Sequence, residues 1–148
     1  MKTIQYRGGL ISFNIPKNWV EEYVESGGGT FYEDIPTSGT LRVNVMTIAH
    51  ESPNVNPGDM FKEKHETNEL KEYLSDSGDE IYEHIIRTEE NRIPITLFHF
   101  TCVHKTEQKD FLLAMFTWTI ETIFEYDEDQ IQEINAIRNC ICGVKFGR

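Results

Sequence analysis

The stretch Ile93–Glu121 constrains this chain more than any other. It reads IPITLFHFTCVHKTEQKDFLLAMFTWTIE, two long apolar runs around a polar break at 105–109. Two strand-like runs with a polar connection have the pattern of an antiparallel hairpin. Side chains alternate across a strand. Ile95, Leu97, His99, Thr101 and Val103 therefore share one face, and Thr96, Phe98, Phe100, Cys102 and His104 the other. In the second run Leu112, Ala114, Phe116, Trp118 and Ile120 lie together, opposite Phe111, Leu113, Met115, Thr117 and Thr119. A sheet with one wet face shows clean apolar–polar alternation. Its absence predicts that both faces of this hairpin are covered. A buried helix can carry a similar apolar run, but the density of Thr, Phe, Ile, Val and Trp favours strand.

The rest of the chain supplies partners for that hairpin. Thr3–Arg7 and Leu10–Ile15 flank Gly8-Gly9, a two-residue hairpin signal. Ile11, Phe13 and Ile15 share a face, and Pro16 ends the pairing because it has no N–H. Trp19–Glu25 and Thr30–Ile35 flank the glycine turn 27–29, so a second hairpin is expected. In it Phe31 and Ile35 match the Val20 face, and Tyr32 and Asp34 match the face of Trp19, Glu21 and Tyr23. Leu41–Ala49 is a strand with Leu41, Val43 and Val45 on one side and Met46 and Ile48 on the other. Asn56-Pro57-Gly58-Asp59 opens a helix: an Asn cap, Pro at the first helical position and Asp in the first turn. It runs to about Leu74, polar almost all round, with Phe61, Leu70, Tyr73 and Leu74 as its apolar contacts. Ile81–Thr88 is a strand and Glu89–Arg92 a turn. The last helix starts at Asp127, with Gln130 answering in a capping box. Ile131, Ile134, Ile137 and Ile141 recur on one helical face, Gly143 closes it, and Val144-Lys145-Phe146 is a tail.

This order predicts a single α+β domain over 1–148, with an antiparallel sheet of six to eight strands between helices in an αβα sandwich. A chain of 148 residues suits one domain and can bury a core without disulfides or metal. The three cysteines have no disulfide-framework or zinc spacing. The start MKTIQYRGGLISF lacks the apolar core of a signal peptide, and no apolar run reaches bilayer-spanning length. A reducing, cytoplasmic location is expected.

Phe13-Asn14-Ile15-Pro16-Lys17-Asn18-Trp19, then Gly28-Gly29-Thr30-Phe31 and Leu41-Arg42-Val43, form an apolar-x-Ile-Pro-x-x-Trp entry, a glycine turn and a long strand. This resembles the start of PsbP-like domains, and the closing helix with its short apolar tail resembles them too. That superfamily includes the Ran-GTPase release factor, the photosystem PsbP subunits, DcrB-like proteins and secretion-effector adaptor chaperones. The resemblance covers most of the chain by element order and points to a bacterial, DcrB-like branch. It implies an αβα sandwich and a binding role rather than a shared reaction.

The net charge of -11 argues against nucleic acid, whose phosphates call for Lys and Arg, and against anionic membranes. It permits a basic protein partner; solubility alone is the plainer reading of the same number. Residue patterns for chemistry are few. His99 and His104 have opposite strand parity, and His50, His65 and His84 are scattered, so no metal site is expected. Cys140 and Cys142 diverge on a helix. Cys102 and His104 share a strand face, but Cys102 stands among Phe98 and Phe100, where burial makes a thiol inert. There is no Gly-x-Ser-x-Gly elbow and no phosphate loop after the glycines. The chain therefore reads as a non-enzyme without a cofactor, a monomer or homodimer that binds a protein. Its candidate contact patch is Trp19, Glu21, Tyr23, Tyr32 and Asp34, since aromatics are enriched at interfaces. The competing reading is a small-molecule binder or enzyme with a sheet–helix cleft holding His99 or His104.

Overall fold

The computed structural model describes residues 1–36, 38–48, 70–107 and 110–147. A seven-stranded antiparallel sheet runs in the order β3-β4-β5-β9-β8-β7-β6. Its strands are β3 (Val20–Tyr23), β4 (Gly29–Tyr32), β5 (Thr40–Ile48), β6 (Leu70–Leu74), β7 (Glu80–Glu90), β8 (Ile93–Lys105) and β9 (Phe111–Glu121). A three-stranded sheet is formed by β1 (Lys2–Tyr6), β2 (Ile11–Ile15) and β10 (Lys145–Phe146), in the order β1-β2-β10. The helix α1 spans Glu128–Cys142.

The hairpin at the centre is β8–β9, paired from Ile95↔Glu121 to Lys105↔Phe111. Its even-numbered face is buried except at half-buried His104: Phe98, Phe100, Cys102, Ala114, Phe116, Trp118 and Ile120 join Phe31, Leu41, Val43, Val45 and Ile81. The small sheet covers this face with Ile4, Tyr6, Ile11, Phe13 and Ile15, and α1 covers it with Ile134, Ile137 and Ile141. Phe13 meets Phe31 and Phe116 edge to face, at 5.5 and 5.1 Å, the geometry that aromatic quadrupoles favour.

The other face departs from the expectation of full cover. Leu70, Tyr82, Val103, Phe111 and Leu113 make a small buried cluster at one end. Towards the other end Met115, Thr117 and Thr119 are half-buried, and beside the cluster Met46, paired with Leu113, is 47% exposed. The expected second helix falls mostly outside the described residues; the part that is described, Leu70–Leu74, is strand β6 instead. Pairing with β7 decides this segment over its helix-forming composition. Among the described residues one helix longer than a single turn flanks the sheets, so the fold is a sheet-dominant α+β fold.

Smaller departures have local causes. The first hairpin turn has four residues, Arg7–Leu10, because Tyr6 pairs with Ile11; Arg7, Gly8 and Gly9 take φ of 49°, 66° and 90°. The turn after β7 is Asn91-Arg92, both left-handed. Asp127 sits at the helix N-cap without a side-chain cap bond, and Gly143 closes the helix at φ -85° rather than in a left-handed turn. Ile131 is 43% exposed and contributes nothing to the core. The tail is a strand: Lys145 and Phe146 pair with Ser12 and Ile11.

Candidate functional site

The second hairpin carries the expected contact patch, and its register redistributes that patch. Val20 pairs with Tyr32, Glu21 with Phe31, and Tyr23 with Gly29. Val24 and Gly28 close the loop through Val24 N–H to Gly28 O at 3.2 Å, which leaves a three-residue connection, 25–27. An odd connection sets residues of equal parity opposite one another, and a one-residue shift flips a strand's faces. Tyr32 therefore joins Val20 and Glu22, not Tyr23, and Phe31 joins Glu21 and Tyr23. The Tyr32 hydroxyl donates to Glu22 Oε1 at 2.6 Å, and Tyr23 donates to Glu21 Oε1 at 2.7 Å. Lys2 Nζ lies 2.8 Å from Glu21 Oε2, and this bond holds the Glu21 carboxyl below its usual range. Trp19 is 4% exposed and stacks on Trp118 at 5.6 Å. It is a core residue; Asp34 is exposed in the bend that follows β4.

Next to this edge, between the β4–β5 connection and the first turns of α1, lies an open hollow of about 510 Å³. Its carboxylates are Glu33 from the sheet side and Asp129 and Glu133 from the helix. The connection is held by Ser38. Its hydroxyl accepts the Glu33 N–H at 3.1 Å and donates to the Gly39 carbonyl at 2.7 Å. Gly39 lies flat against the Trp118 indole, and a Cβ there would run into the ring, so only glycine permits this approach. Trp118 is 1% exposed, lines the hollow, and its Nε1 has no hydrogen-bond partner among the described residues. The Glu133 carboxyl is pushed above its ordinary value, first by burial and then by the charge of Glu33. Among the described residues none of the three carboxylates forms an ion pair.

Neither His99 nor His104 lines the hollow between sheet and helix. His104 Nδ1 lies 2.8 Å from Asp79 Oδ1, and its ring stacks on Phe146 at 4.6 Å. His99 stacks on His84 at 5.0 Å and shares a 3.1 Å hydrogen bond with Thr117 Oγ1. It lines a separate hollow of about 440 Å³ on the open face, beside the glycine turn, Arg42 and Asn44. Cys102 is buried, and burial pushes its thiol far up. Among the described residues no group of three or more His, Cys, Asp and Glu is arranged to hold a metal ion, and no helix is long and apolar enough to cross a membrane.

Sequence reasoning missed the acidic hollow, because Glu33 and Glu133 lie in separate elements. The unusual signal was the glycine at 39 ahead of an apolar strand, which marks a close backbone approach.

No family model matches the chain, and no curated protein matches it. Solved structures do. One, from Bacteroides thetaiotaomicron VPI-5482, aligns at a TM-score of 0.68 and 14% identity over 99% of this chain and 48% of its own, so the chain spans about half its length. LpqN of Mycobacterium tuberculosis, described as involved in cell envelope biogenesis, aligns at 0.61 and 11% identity over 91% of this chain and 82% of its own. The Saccharomyces cerevisiae Ran-binding protein Mog1p aligns at 0.57 and 8% identity over 98% of this chain and 94% of its own. At these identities the likeness shows the fold alone: the chain shares the fold of these three structures.

Proposed function

We propose that this is a non-enzymatic protein-binding module, an adaptor, chaperone or inhibitor of a basic partner, working in the cytoplasm as a monomer or homodimer. The observation that carries this reading is the acidic hollow, whose carboxylates lack a counter-charge among the described residues in a chain of net charge -11. A cationic surface meets that demand and is steered to it over long range. The yeast neighbour is described as Ran-binding, which supports a protein partner on this fold. We place the chain in a DcrB-like branch of the PsbP-like superfamily, with an αβα arrangement completed on the second sheet face. The test is capture of partners from a lysate of the source organism at low and high salt. A partner retained at low salt and shed as salt rises is expected. A blank under both conditions overturns the reading.

A small-molecule binder is the second reading, favoured by the volume of the hollow between helix and sheet, about 510 Å³. A thermal-shift screen of small organic cations that raises the melting temperature without any protein capture would favour it.

A further inference from the structure

Two features meet in the hollow, and together they describe a ligand. The first is charge. Glu33 and Glu133 line the same hollow from the sheet side and from the helix, and the Glu133 carboxyl is raised first by burial and then by the charge of Glu33. The second is the indole N–H of Trp118, a donor with no other role in hydrogen bonding. It is buried at the wall of the same hollow and has no acceptor among the described residues. Buried donors are nearly always paired, so an orphan beside a recess marks a place for an acceptor.

We propose that the hollow seats an arginine side chain of a partner protein, with its guanidinium between Glu33 and Glu133 and the adjoining main-chain carbonyl on Trp118 Nε1. This rests on the reading of the protein as a module for a basic partner and narrows it to one site. Arginine fits better than lysine because its rigid fork presents five N–H groups and bridges two carboxylates at once. Asp129, exposed on the first turn of α1, adds charge at the rim. Trp118 Nε1 is buried, so the carbonyl reaches it only as the Ser38–Gly39 strap yields. That movement also alters the Trp19–Trp118 stack, so binding reports on itself through the indoles.

The test is NMR of the 15N-labelled protein titrated with a capped Gly-Arg-Gly peptide, with citrulline and lysine versions alongside. The chain has two tryptophans, so the Trp118 indole resonance is assigned from one variant. The arginine peptide is expected to shift that resonance, the citrulline peptide to leave it in place, and Glu33→Gln with Glu133→Gln to weaken binding at least tenfold. Both substitutions keep the side-chain shape, and an unchanged amide spectrum elsewhere verifies the fold. No shift at millimolar peptide, or an equal response to citrulline, overturns the site; an equal response to lysine overturns its assignment to arginine. The site and the module fail separately. If a salt-sensitive partner is captured equally well by the double variant, the site falls and the module stands. If the peptide binds but no partner is ever captured, the module falls and the site stands.

Discussion

Replacing Arg138 by Met tests how α1 is fastened to the sheet. Arg138 reaches from the helix to Glu83 on β7, donating Nε to Oε1 at 2.9 Å and Nη2 to Oε2 at 2.8 Å. Glu83 is 1% exposed and receives one further bond, from the Tyr73 hydroxyl at 3.1 Å. Burial, followed by this carboxylate, pushes the Tyr73 phenol far above its usual value, so it stays a donor. Methionine preserves most of the aliphatic stem, so little cavity opens and the loss is one of charge compensation. Removing one partner of a buried pair costs about 3–5 kcal/mol. The Arg138 side chain is 25% exposed and water can enter where it stood, so the lower end, about 3 kcal/mol, is expected. For a domain of this size that lowers the melting temperature by about 6–12 °C. The companion is Glu83→Gln with Arg138→Met, in which the amide oxygen still accepts from Tyr73 and no charge is buried. It should recover most of the loss, because neutralising both members of a buried pair is often neutral or stabilising. Urea titrations of the three proteins decide the matter. A loss below about 1 kcal/mol for Arg138→Met would show that Glu83 does not depend on the helix.

Three further outcomes are expected. Phe116→Ala empties the centre of the main core, where Phe116 is 0% exposed against Phe13, and should cost about 3–5 kcal/mol in a denaturant titration; a midpoint within error of wild type would remove Phe116 from the core. Glu125 is held below its ordinary value of 4.5 first by Arg87 and then by Thr96, against burial, so its stabilisation is present above pH 4.5 and is lost as pH falls through the lower folded value. Glu125→Gln should therefore lose stability at pH 7 and converge on wild type in acid, and an equal loss at both pH values would refute the ion pair as its cause. Glu133 has the opposite sign: its folded value lies above 4.5, so the protonated carboxyl favours the fold below pH 4.5 and that advantage disappears as pH rises through the folded value. Glu133→Gln should stabilise the protein at pH 7 and change little at pH 4, by thermal melts at each pH; destabilisation at pH 7 would mean that the carboxylate has a hidden counter-charge.

Periodicity revealed the buried faces and little of how they meet. Ile11, Phe13 and Ile15, then Leu41, Val43 and Val45, and the even-numbered residues from Leu112 to Ile120 all face the core as alternation predicts. Ile134, Ile137 and Ile141 do so on α1. Faces are a local property, fixed by the two-residue repeat. Register is not: the odd connection at 25–27 turned the expected Tyr23–Tyr32 face into two faces, and nothing in a run of three glycines states how many residues the loop consumes. The segment Leu70–Leu74 failed for a related reason, since five residues of mixed polarity satisfy either period and only β7 settles it. The hollow was illegible because it joins Glu33 to Glu133 across the fold, and the Glu83–Arg138 bridge joins residues 55 apart in the chain.

The acidic residues of this chain fall into two physical groups, and the division bears on function. Glu83 and Glu125 are buried, each grips an arginine from a distant element, and Glu125 is bonded to Arg87 through both oxygens. A buried charge without a partner is costly, so these carboxylates are committed to the fold. Glu33, Asp129 and Glu133 border an open hollow and have no ion pair among the described residues. Ionisation of Glu133 opposes folding at neutral pH, because burial and then the charge of Glu33 raise its carboxyl. If charge served solubility alone, it would be spread singly over the surface, where repulsion costs least. Here Glu33, Asp129 and Glu133 border a recess whose wall holds an indole N–H without an acceptor among the described residues, the two features on which the proposed arginine site rests.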